Sequence, residues 1–190
     1  MGQIDRGRTE PCKDTLGGVR NVYLWSWQQY NLTQIQGVRG VSLESYPLTI
    51  VYKFETLANG NDLSESLIDN NGYEQKVNLI LKKIELESSF DLDRFQDIRL
   101  GVIVEDYNGL FRLMGAFNGV DLLNLTVSIG NGNADFNGYQ LELEARERFK
   151  SPLFTNLEDA GFVLATDNDY LLSEVFEILT DGDNNRLIYA

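Results

Sequence analysis

The stretch Asn137-Gly138-Tyr139-Gln140-Leu141-Glu142-Leu143-Glu144-Ala145-Arg146-Glu147-Arg148-Phe149 alternates apolar and polar side chains. Tyr139, Leu141, Leu143 and Ala145 fall on one face, and Gln140, Glu142, Glu144 and Arg146 on the other. A period of two belongs to a strand, whose successive side chains point to opposite sides of a sheet. The segment therefore reads as a half-buried strand with a polar face left for solvent or a partner.

The same period recurs along the chain. In Ser45–Leu57, Leu48, Ile50, Tyr52 and Phe54 alternate with Thr49, Val51, Lys53 and Glu55, and Pro47 stands near the start, where a missing N–H does least harm. Tyr73–Glu85 places Val77, Leu79 and Leu81 on one side. Segment 45–85 thus reads as a long hairpin interrupted by a polar excursion, Ala58–Gly72, which carries Asn59-Gly60 and Asn71-Gly72. Val19–Trp27 has apolar groups on both parities (Val22 and Leu24 against Tyr23, Trp25 and Trp27), as expected of a strand covered on both sides or with one side facing a partner. Arg99–Glu105 and Leu110–Phe117 flank Asp106-Tyr107-Asn108-Gly109, a hairpin turn in which Asn-Gly supplies positive φ. Asp121–Ile129 is a further strand, and Leu172–Thr180 with Arg186–Tyr189 around Asp181-Gly182-Asp183 reads as a closing hairpin. Ser88–Asp97 is the one helix candidate, with a serine to cap it and Phe90, Leu92, Phe95 and Ile98 for a buried stripe. The fold expected from this order is mainly β: an antiparallel β-sandwich or partly closed barrel with one flanking α-helix. It divides into an N-terminal arm (1–18), the sandwich (19–155) and a C-terminal extension with a β-hairpin (156–190).

Charge and composition restrict the function classes. The 190 residues carry a net charge of −13, which disfavours a grip on nucleic acid but suits a conduit that lets phosphates slide, and suits plain solubility equally. Residues 1–50 hold five Lys/Arg and four Asp/Glu, whereas residues 151–190 hold Arg186 and eight Asp/Glu, an asymmetry suited to contacts between unlike surfaces. The single cysteine, Cys12, leads us to expect a reducing compartment, and no apolar run is long enough to cross a bilayer, so no membrane partner is expected.

With no histidine, the usual general base and the commonest metal ligand are missing, and no phosphate-cradling glycine motif occurs. We expect no cofactor, no metal site and no enzymatic activity. The competing chemistry rests on two features. Glu142 and Glu144, two apart on one strand, are the carboxylate pair a glycosidase would need, although two glutamates on a polar strand face are far more often solvated than catalytic. Trp25, Trp27 and Tyr30 would suit an aromatic platform for a sugar, or packing in a core or subunit interface.

Three stretches together resemble the tail-tube (major tail) proteins of tailed bacteriophages. They are Gly7-Arg8 through Pro11-Cys12-Lys13-Asp14 to Gly17-Gly18 and Val22-Tyr23-Leu24; Val102–Gly109 followed by Phe111–Gly115; and Asp135–Glu147 leading to Ser151-Pro152-Leu153-Phe154. The resemblance covers most of residues 1–155 and implies a virion structural protein assembled in the host cytoplasm. It implies rings, usually hexameric, stacked into a hollow tube that conducts DNA during ejection, with sister copies and other tail proteins as partners. By the same resemblance, Asn59, Gly60, Asp62, Asn70 and Gly72 would serve an inter-ring loop, Trp25 and Trp27 a subunit interface, and Glu142 and Glu144 the lumen wall. A connector, tail-completion or baseplate component fits the same resemblance.

Overall fold

β1 (Val19–Ser26) buries both of its faces. Val19, Val22 and Leu24 enter one core and Tyr23 and Trp25 a second, which is why apolar residues occupy both parities of this strand. A computed structural model describes residues 16–30, 33–37, 41–56, 60–68, 72–85, 89, 92–132 and 135–165. Most of the N-terminal arm and the expected C-terminal hairpin lie outside the described residues.

The remaining strands are β2 (Thr49–Glu55), β3 (Asp62–Ile68), β4 (Gly72–Lys82), β5 (Leu100–Asp106), β6 (Phe111–Met114), β7 (Asp121–Ser128), β8 (Gly138–Glu147), β9 (Leu153–Phe154) and β10 (Phe162–Leu164). They form a six-stranded sheet, β10-β2-β1-β5-β6-β9, and a four-stranded sheet, β3-β4-β8-β7. The protein is mainly β and sandwich-like, with one sheet curled into a half-barrel. Every strand pair is antiparallel except β10 with β2, which is parallel.

The first core fills the space between the sheets. Val22, Leu24, Val102, Val104 and Met114 from one sheet meet Val77, Leu79, Tyr139, Leu141 and Leu143 from the other. Ser89 and Leu92–Arg94 are helical, and Leu92 and Phe95 seal this core at one end, with Phe95 edge-on to Phe54 at 6.3 Å. The second core lies on the far face of the six-stranded sheet and is largely aromatic. Tyr46 stacks on Phe162 (5.0 Å), Phe162 on Phe154 (5.7 Å) and Phe154 on Phe111 (5.4 Å), with Trp25 tilted against Phe162 at 5.4 Å.

Two expectations need correction. Segment 45–85 is not one hairpin: β2 lies in the six-stranded sheet and β4 in the four-stranded sheet. The apolar side chains of the two strands, Phe54 against Val77, Leu79 and Leu81, oppose each other across the core instead of lying side by side. The intervening polar segment is no mere excursion, because β3 forms within it and pairs with β4 over its full length. The sandwich also extends past residue 155. Ala160 and Phe162 are buried in the second core, and β10 lengthens the sheet beside β2. The β5–β6 turn forms as expected: Gly109 has φ 78°, and Asp106 Oδ1 accepts N–H bonds from Asn108 (2.8 Å) and Leu110 (2.9 Å).

Gly101 shows how tightly the second core packs against the six-stranded sheet. It pairs with Trp25, whose indole lies over it, and a Cβ at this position would stand 2.0 Å from Cε2 and 2.2 Å from Cζ2. Gly101→Ala is expected to destabilise the fold by about 1–3 kcal/mol through overpacking, seen as a lower urea midpoint at unchanged slope. An unaltered midpoint would show that the indole can move aside freely.

Candidate assembly surface

A sheet margin offers unpaired N–H and C=O groups to any passing strand, so stable proteins shorten or cover their edges. The six-stranded sheet follows this rule: its margins are β9, two residues long, and β10, three residues long. The four-stranded sheet does not. Its margins are β3, seven residues, and β7, eight residues, and among the described residues each pairs with one neighbour only. Both strands also expose large apolar side chains: Leu67 at 55%, Leu123 at 52% and Val127 at 54%. A bulge between Leu122 and Asn124 inserts Leu123 as an extra residue on β7.

The outer face of the same sheet is charged. Its rows, read across the strands, present Asp62, Glu74, Asp121, Glu142 and Glu144 together with Lys76, Lys82 and Arg146. Lys76 Nζ lies 3.1 Å from Glu74 and 3.4 Å from Glu144, while Arg146 reaches Glu144 at 2.9 Å and Glu74 at 3.4 Å. This four-residue lattice is partly exposed and contributes little to stability, but it keeps the face polar. Arg99 pairs with Asp121 at 3.2 Å beside a cleft of about 470 Å³, also lined by Asn118, Glu144 and Arg146.

Each residue singled out from sequence has a definite place, with two exceptions. Glu142 and Glu144 share the charged face, as their spacing required. Glu144 is ion-paired to two cations, Lys76 and Arg146. Asp62 opens β3 and accepts a 3.0 Å bond from Asn78 Nδ2, Gly60 precedes it at φ 97°, and Gly72 opens β4 opposite Ile68. Asn59 and Asn70 lie outside the described residues. The tryptophans do not form a surface platform. Trp25 is only 4% exposed, with its ring in the aromatic core, and Trp27 packs over Gly119 and donates its backbone N–H to Arg99 O at 2.9 Å. Alternating apolar residues on both parities had two explanations, a second core or a partner; a second core is the outcome.

Leu67, Leu123 and Val127 escaped the reading of the sequence. A weak signal was present, since Asp62, Ser64 and Ser66 alternate with Leu63, Glu65 and Leu67. The flanking Asn-Gly pairs and the glutamate on the apolar parity masked it.

Three buried polar clusters hold the ends of the sandwich. Glu105 accepts from Asn21 Nδ2 (2.7 Å) and the Tyr23 hydroxyl (2.8 Å); burial first, and then this carboxylate, push the Tyr23 hydroxyl well above its ordinary range. Gln75, buried between the layers, accepts from Gly115 N at 3.1 Å and donates to Glu65 at 3.1 Å, which in turn accepts from Ser151 N at 2.6 Å. Glu147 Oε1 accepts the backbone N–H groups of Phe117 and Asn118, both at 2.8 Å.

Among the described residues no group of three or more acidic or thiol side chains is placed to hold a metal ion, and no helix is long and apolar enough to cross a membrane. No family model, curated protein or solved structure matches the chain.

Proposed function

We propose that this chain is a structural subunit that assembles edge to edge with copies of itself, as a tail-tube protein of a tailed bacteriophage does. The observation that carries this reading is the pair of long open edges, β3 and β7, at opposite margins of one four-stranded sheet. A contact between unlike edges of identical copies is heterologous, and heterologous contacts close into rings where the rotation per copy divides a full turn. Because the four strands alternate in direction, β3 and β7 run antiparallel, so β7 of one copy meets β3 of the next as a further antiparallel pair. The charged face then becomes the inner wall. Asp62, Glu74, Asp121, Glu142 and Glu144 outnumber Lys76, Lys82 and Arg146 there, even with Arg99 added at the margin, so duplex DNA would pass without being gripped.

Negative-stain imaging of the purified full chain tests this reading, with rings or tubes roughly 100 Å across as the expected result, several domains of this size side by side. Leu123→Lys places a charge on the exposed edge, a device that proteins use to block pairing. It is expected to raise the concentration needed for assembly by on the order of tenfold, about 1.4 kcal/mol, with the thermal midpoint of the monomer unchanged. A chain that stays monomeric at every concentration, alone and with a nucleating tail partner, would end the proposal.

A further inference from the structure

We infer, resting on the edge-joined ring just proposed, that β7 of one copy receives β3 of the next in one register, Leu125 opposite Glu65 and Thr126 opposite Ser64, and that this register closes a barrel whose strands lean about 35° from its axis. The ladder of the four-stranded sheet supplies the argument. Asp62, Asn78, Glu142 and Asn124 share one row across all four strands. Counted along β4, β3 occupies the rows from Gly72 to Asn78, and β7 the rows from Lys76 to Lys82. The middle of β3, Glu65, stands in the row of Gln75, and the middle of β7, Leu125, in the row of Leu79. The two edges are therefore offset by four residues (79 against 75).

Moving the next copy along by that offset lays the whole of β3 beside Asp121–Ser128. A slip of one residue turns the core-facing side of β3 to the charged face. A slip of two in either direction leaves part of β3 beyond the end of β7. The offset is even, so the pleat and the alternation of hydrogen-bonded and open pairs continue unbroken through the seam. In this register Leu67 comes opposite Leu122, with the bulged Leu123 beside it, and Leu63 opposite Val127, which covers the three large apolar side chains exposed on β3 and β7. On the charged face Asp62, Ser64 and Ser66 come opposite Ser128, Thr126 and Asn124, with no like charges directly opposed.

The offset also has a hand. Ile80, on the charged face of β4, donates its N–H to Asn61 Oδ1, on the β3 side. For L residues this puts β3 to the right of β4 when the charged face is viewed with β4 running upward. The sheet therefore climbs from β3 to β7 in the direction that winds the strands right-handed around the bore, the sense their own twist favours. Four strands span about 19 Å and four residues about 13 Å, and their ratio gives the lean of about 35°, within the range of closed barrels. For the hexamer that the resemblance implies, the backbone wall is about 45 Å across and the bore about 35 Å after side chains are allowed for.

Disulfide trapping reads the register directly, because a bridge needs Cβ atoms within about 4.5 Å. In a Cys12→Ser background of the full chain, Ser64→Cys with Thr126→Cys is expected to give a ladder of covalent oligomers on non-reducing gels. The pairs shifted by two in either direction, Ser64→Cys with Ser128→Cys and Ser64→Cys with Asn124→Cys, are expected to give at least tenfold less. Trapping by a shifted pair, with rings still visible by imaging, overturns the register and leaves the ring. Rings without trapping by any pair overturn the edge seam itself. No trapping and no rings at any concentration overturn both this inference and the function on which it rests.

Discussion

Trp25→Ala is expected to destabilise the chain by about 3–5 kcal/mol, the usual cost of deleting a large buried aromatic side chain. The indole is 4% exposed and is held between Gly101 beneath it and Tyr46 and Phe162 on its other sides, at ring distances of 6.2 and 5.4 Å. Little can collapse into the space, because the neighbouring rings already stack on one another. A loss of this size is a large share of the roughly 5–15 kcal/mol that stabilises a domain. Urea unfolding at low and high protein concentration checks it. The same loss at both concentrations is expected of a core residue, whereas a loss that appears only under assembling conditions would return Trp25 to a subunit interface.

Glu147 gives the second large effect, through charge instead of volume. Its carboxylate is 5% exposed and caps the turn after β6, where Gly115 and Gly119 both adopt positive φ. Glu147→Ala is expected to cost about 1–3 kcal/mol by leaving turn N–H groups without their acceptor. Burial raises the pKa of this carboxyl from its ordinary 4.5, and the N–H bonds from Asn118 and Phe117 counter only part of that rise. The folded state therefore holds the proton more tightly than the unfolded chain. Between the ordinary value and the raised one, the native state binds more protons, so stability falls as pH rises through that window. Glu147→Gln removes the titrating group and is expected to remove this part of the pH dependence. The check is the difference in urea midpoint between the two proteins, followed from mildly acidic to neutral pH. A difference that does not change with pH would show that Glu147 is solvated as readily as a surface glutamate.

Much of the fold was legible because strand formation is written locally. The alternation in β8 and β4, the two-sided burial of β1 and the Asn108-Gly109 turn each depend on residues a few positions apart, and each formed where the pattern placed it. The pairing of β2 and β4 was misread because alternation identifies a face without naming the sheet that face belongs to. β3 was missed because its polar side chains pair across the outer face, and its apolar ones are covered only in part by β4. Of the candidate site, the charged face could be read from Glu142 and Glu144, which must share a side. The edges could not, because an edge exists only once every other strand has found its neighbours.

Sequence alone sufficed for the class of secondary structure, the polar and apolar faces of β4 and β8 and the absence of histidine, all of which follow from side-chain chemistry at short range. Which strands ended at the margins, how far β3 and β7 are offset, and that Trp25 lies in a core were decided by tertiary structure. Those features arise from long-range competition for hydrogen-bonding neighbours and apolar cover, and no local pattern encodes the outcome of that competition.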